Sequence, residues 1–209
     1  MNLSNPPLSN PNQFSPNLDT FCHDLIPRPN HPKQYRAIGV VYGKYTPIEG
    51  KLTKGIMETK DQEKFDVIIL PRAIGAIKNH VDVSQKQHWI VYPHGIRDSE
   101  QLYLQIVGIL PPSQKPEIIN NYPSSLDYFS IRGEVLYFSH KAQKVIVKIR
   151  YYQTSTQRIR FFKLELKGII DQSPLNHFYD FDVVLEGTDL IIKRYIDLGL
   201  IAVKNKRRR

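Results

Sequence analysis

From Tyr35 onward the chain is a succession of short segments in which Val, Ile, Tyr and Phe alternate with polar residues, separated by Gly, Pro, Asp and Asn. A period of two puts successive side chains on opposite faces of an extended chain, so the pattern predicts an antiparallel all-β protein. A first group of strands is expected over 35–45, 52–59, 65–70, 89–92 and 102–110. Between its third and fourth members, Ile74, Ile77 and Val81 recur at helical spacing behind Pro71, which predicts a short helix opened by that proline. A second group is expected over 128–139, 144–152, 159–169, 181–186 and 190–195, its last two strands joined at the EGTD turn as a hairpin. The stretch DQSPLNHFYD inside this group is too short and proline-broken for a helix, so a loop is expected there.

Five strands with a helix between the third and fourth is the element order of an oligonucleotide-binding, or OB, barrel. The predicted class is therefore all-β with minor α: two tandem OB-like barrels of about 75 residues each, which fit the chain better than one sandwich. Barrel 1 is placed at 35–112 and barrel 2 at 128–200, with a linker at 113–127. Residues 1–34 hold seven of the fifteen prolines among Asn and Ser without any periodicity, and read as a disordered or loosely draped arm. Residues 201–209 read as a basic tail.

Charge sharpens this picture. The net charge is +9, and 141–167 alone carries +7 from eight Lys and Arg against the single acid Glu165. The tail adds +5, leaving the remainder slightly acidic. Such a balance favours nucleic acid, an anionic surface or an acidic protein. No apolar run approaches the roughly 20 residues of a transmembrane helix, and the amino terminus lacks the basic start and apolar centre of a secretory signal. The expected location is cytoplasmic, with no membrane partner. Cys22 has no second cysteine to pair with.

Alternation along 144–152 places Val145, Val147, Ile149 and Tyr151 on one face, expected to be core, and Lys148, Arg150 and Tyr152 on the other. The same rule for 159–169 turns Phe162, Leu164 and Leu166 inward and Phe161 and Lys163 outward. Cations can neutralise phosphates and release condensed counterions, and a flat ring can stack on an unpaired base. Lys148, Arg150, Arg158, Arg160 and Lys163 are thus the candidate phosphate ligands, and Tyr152 and Phe161 the candidate stacking groups. Arg207 and Arg208 in the tail are candidate non-specific contacts.

Catalytic signatures are missing: the chain has no GxSxG, P-loop, HExxH or dinucleotide fingerprint. His80, His88 and His94 around Trp89 match no metal-ligand spacing, and Asp180 and Asp182 near His177 read as strand patterning. Neither a metal nor a cofactor is expected. Trp89 and Tyr92 fit core, domain interface or ligand platform equally.

The strings RAIGVVYGKY, PRAIGAIKNHVD, HWIVYP, YFSIRGEV, VIVKIR and FFKLELKG together resemble an uncharacterised cyanobacterial-type protein family, over residues 35 to about 195. The resemblance implies no activity and no site residue. The expected function is non-catalytic binding of single-stranded DNA or RNA, alone or as an accessory subunit of a larger nucleoprotein complex. The competing expectation is an adaptor whose basic sheet face meets an acidic protein.

Overall fold

The computed structural model of the chain describes residues 26–27, 29–80, 82–83, 85–95, 101–110, 127–170 and 174–201. Ten strands and a helix follow one another as β1 (Arg36–Ile48), β2 (Lys51–Thr59), β3 (Lys64–Ile69), α1 (Pro71–His80), β4 (Gln87–Gly95), β5 (Leu102–Ile109), β6 (Tyr128–Ser139), β7 (Lys144–Gln153), β8 (Arg158–Lys167), β9 (His177–Glu186) and β10 (Asp189–Leu200).

Pairing closes each group of five on itself. In the first, the strands run β1-β2-β3-β5-β4 and return to β1, with β3 and β5 parallel. In the second, the order β6-β7-β8-β10-β9 and back to β6 repeats the same circuit, and β8 and β10 are again parallel. Two tandem OB barrels result, as the element order predicts. Inside the first, Trp89 is fully buried, with its Nε1–H donating to the Gly43 carbonyl at 2.9 Å, and its ring meets Tyr45 edge-on. Trp89 is core, and Tyr92 instead receives a hydrogen bond from Arg72. Helix α1 sets Ala73 and Ile77 into this core and packs Ile74 against it, while Val81 lies outside the described residues. Among the described residues no helix is long and apolar enough to cross a membrane, and none lies between β8 and β9.

The strand ends differ from expectation where pairing is non-local. Strand β9 starts at His177, inside the stretch expected to be a loop, because Phe178, Tyr179 and Asp180 pair with Glu134, Gly133 and Arg132 of β6. Strand β10 likewise continues to Leu200 beside the beginning of β9.

The barrels share backbone. Strand β1 pairs antiparallel with β6, Ala37 opposite Ile131 and Gly39 opposite Phe129. A Cβ at Gly39 would lie 2.2 Å from the Phe129 ring, so only glycine lets the two strands close here. Eight consecutive residues of β6, Tyr128 to Val135, are buried because both faces of the strand are covered. On the polar side Arg132 is almost wholly buried; its guanidinium pairs with Asp180 and donates to the carbonyls of Gln34 and Pro32. Arg36 donates to Pro27 and to Ser130 Oγ, and Ile26 is buried. The described end of the proline-rich segment, expected to be disordered or loosely draped, is docked against β6 as a strap. Its carbonyls satisfy a buried guanidinium that would otherwise be costly. Residues 1–25, the tail with Arg207 and Arg208, the last two residues of the expected barrel 1 (111–112) and 113–126 of the expected linker lie outside the described residues.

Candidate nucleic-acid interface

Strands β7 and β8 are the second and third strands of barrel 2, and their register determines what they present. Val145, Val147 and Ile149 pair with Leu166, Leu164 and Phe162 and fill the barrel side. The outer row consists of the cross-strand pairs Lys148–Lys163, Arg150–Phe161 and Tyr152–Ile159. The outward-facing residues expected on this surface are thus brought together.

Beyond the pair Ile149–Phe162 the two strands leave the barrel but stay hydrogen-bonded for four more pairs, ending at Gln153–Arg158. The turn is braced: Gln153 Oε1 accepts from Thr156 Oγ1 at 3.0 Å and from Arg160 Nε at 3.2 Å, and Gln157 takes a positive φ of 49° to reverse the chain. With no core beneath, both faces of this extension meet solvent. Tyr152, Ile159 and Phe161 are 60%, 71% and 57% exposed on the outer face. Arg158 and Arg160 lie on the opposite face, beside Gln153 and Tyr151, so they do not share a surface with Lys148 and Arg150. Tyr151, expected in the core, is 44% exposed, because the alternation runs past the barrel rim.

A residue on β6 reorganises the outer charges. Glu134, paired in register with Lys148, accepts Lys148 Nζ at 3.1 Å and Arg150 Nη2 at 3.2 Å on the same oxygen. Lys148 also lies 5.4 Å from the Phe161 ring centre, and Arg150 5.4 Å from that of Tyr35. Burial raises the pKa of the Tyr35 hydroxyl, against the lowering pull of Arg150. Lys148 and Arg150 are therefore held in place, each between an acid and a ring, and half of their joint charge is offset. Lys144 and Lys167 are paired as well, with Glu165 and Asp189. Among the described residues Lys163 and Arg158 have no ion-pair partner. Glu134, Tyr35 and Ile159 were missed from sequence; of these, only Ile159 carried a local signal, as an apolar residue in the outer row.

The hairpin's other face continues into barrel 1. His94 of β4 stacks on Tyr103 at 5.2 Å and packs on Phe162 at 4.2 Å, and Phe162 neighbours Tyr151 at 6.0 Å. Burial lowers the His94 pKa to about 4, with a hydrogen bond to Gln105 pulling the other way, so the imidazole is neutral at pH 7. This file of rings props the hairpin against its neighbour. The equivalent outer face of barrel 1 differs: its pairs Lys54–Ile68, Ile56–Asp66 and Glu58–Lys64 alternate in sign and include no ring. Asp180, Asp182 and His177 serve structure, pairing with Arg132, Arg194 and Asp197. Among the described residues no three His, Cys, Asp or Glu side chains are grouped to hold a metal ion.

Two family models match the chain. Residues 37–117 match the one described as PatR RNA-binding protein, N-terminal OB-fold domain. Residues 131–199 match the one described as cyanobacterial OB-fold-like RNA-binding domain, C-terminal. No curated protein matches the chain.

Proposed function

We propose that this chain, which belongs to a cyanobacterial-type family of OB-fold nucleic-acid-binding proteins, binds single-stranded RNA on the outer face of β7 and β8, without catalysis. The observation that carries the reading is the outer row itself: Tyr152 and Phe161 stand exposed on the same face as Arg150 and Lys163, Phe161 directly opposite Arg150, on the two strands that receive oligonucleotides in OB barrels. Rings take bases and cations take phosphates, an arrangement suited to an unpaired strand. The RNA-binding descriptions of both matched families favour RNA over DNA.

Fluorescence anisotropy with a labelled RNA of about 20 nucleotides, long enough for several OB-fold site sizes, tests the proposal. With Lys163 and the residual charge of Lys148 and Arg150 beside Glu134 neutralising about two phosphates, log affinity falls against log salt with a slope of about −1.4. A flat response, or equal competition by duplex RNA, would remove it. Glu134→Gln is expected to raise affinity about two- to fivefold, since it removes the nearly buried acid that offsets half the charge of Lys148 and Arg150 while leaving both a neutral acceptor. A drop in affinity would mean that Glu134 matters for aiming the two cations rather than for offsetting them.

The second reading, an adaptor for an acidic protein, draws on the same cations and on the exposure of Ile159, which cannot stack as a ring does. A role as accessory subunit of a larger nucleoprotein complex is compatible with either.

A further inference from the structure

Strand binding accounts for one face of the β7–β8 extension and leaves the rest of its construction unexplained. Four ladder pairs at about 3.4 Å per residue carry its tip about 14 Å beyond the barrel rim. The whole stretch 150–163 contains no acid. Its two faces differ toward the tip: the outer face ends in the exposed Tyr152–Ile159 pair, with Phe161 and Arg150 behind it, and the reverse face carries Arg158 and Arg160 beside Gln153 and Tyr151. Ile159 is the most exposed large hydrophobic side chain among the described residues.

We propose that this two-faced hairpin is a wedge for the junction between paired and unpaired RNA, and that the protein opens short duplexes from such junctions without nucleotide hydrolysis. The inference rests on the RNA-binding reading and extends it to a substrate class, the forked or frayed duplex. An aliphatic side chain inserted between base steps unstacks them, the use to which apolar wedges are put in nucleic-acid-bending proteins. Ile159 occupies the outermost outer pair, with Tyr152 directly across the ladder and Phe161 one row behind, so a base parted by the wedge meets a ring at once. Arg158 and Arg160 on the reverse face are placed for the phosphates of the strand turned away. The braced turn supplies the stiffness insertion needs: Gln153 ties both Thr156 and Arg160. Opening is driven by mass action alone, since the protein binds the separated strand and the junction in preference to the closed duplex.

The test uses the full chain and a forked RNA duplex with a fluorophore and quencher across the paired arm, alongside anisotropy on the unpaired strand alone. Wild type is expected to open the fork faster than a blunt duplex of the same sequence. Ile159→Ser, at an exposed position, is expected to slow opening by at least about fivefold, a clearly larger factor than any loss of unpaired-strand affinity it brings. Equal opening by wild type and Ile159→Ser overturns the wedge and leaves the RNA-binding reading standing. Parallel loss of opening and of strand affinity also overturns it, placing Ile159 in the strand-binding face. Absence of RNA binding by wild type, with capture of an acidic protein instead, removes both readings.

Discussion

Replacing Tyr152 and Phe161 together by alanine is expected to lower affinity for a single RNA strand about a hundredfold, at 1–3 kcal/mol for each stacked base. The fold should not move, because both rings project from strands whose packing is on the other side. The slope of log affinity against log salt should stay where it is, because no charge is removed; Lys148 loses its ring but keeps Glu134. Anisotropy titrations at low and high salt, run beside Lys163→Gln, separate the two contributions. The lysine variant is expected to flatten the slope with only a modest loss of affinity. If the double alanine variant binds RNA as wild type does, stacking has no part in recognition, and the basic face acts by charge alone, as the adaptor reading requires.

Periodicity made the strands legible because the barrels bury one face of most strands, β6 being covered on both, and a half-buried strand repeats every two residues. It also sorted Lys148, Arg150, Tyr152, Phe161 and Lys163 onto one surface, since a ladder in regular register keeps parity across the turn. It failed where the repeat outlasts the barrel: Tyr151 has the parity of Ile149, but no opposite wall lies over it, and it emerges into solvent. What depends on pairing between distant segments left no local trace. Nothing in YFSIRGEV marks Arg132 as the anchor of a strap a hundred residues earlier, or Glu134 as the acid that holds Lys148 and Arg150. The β1–β6 seam is equally silent, although Gly39 opposite Phe129 is the position it depends on.

Two titratable groups beside the contact between the barrels, one buried and one half-buried, are expected to pull stability in opposite directions over the same pH range. Asp127 precedes β6; its Oδ1 accepts the Tyr42 N–H at 2.8 Å, its carbonyl accepts the Leu185 N–H, and its Oδ2 has no hydrogen-bond partner among the described residues. Burial raises its pKa from 3.8 to about 6, opposed by that hydrogen bond and by Lys60, with Asp61 adding to the rise. The folded state thus binds a proton more tightly than the unfolded chain, so this contribution to stability is present at low pH and lost as pH rises through 6. His94 is the reverse. Its pKa falls from 6.5 to about 4, so the unfolded chain takes the proton first and stability is lost as pH falls through that interval. Between pH 7 and 4.5 each group is worth about 2 kcal/mol, by linkage from these shifts. Asp127→Asn keeps an oxygen for Tyr42 and is expected to lose about 2 kcal/mol more than wild type on acidification. His94→Phe keeps a flat ring between Tyr103 and Phe162 and is expected to lose about 2 kcal/mol less. Urea midpoints at the two pH values for the three proteins measure this directly. Parallel acid responses in all three would mean that neither group is buried in the way the contact between the barrels requires. Divergence in the stated directions would tie that contact, and with it the support behind the β7–β8 hairpin, to the protonation of two identified side chains.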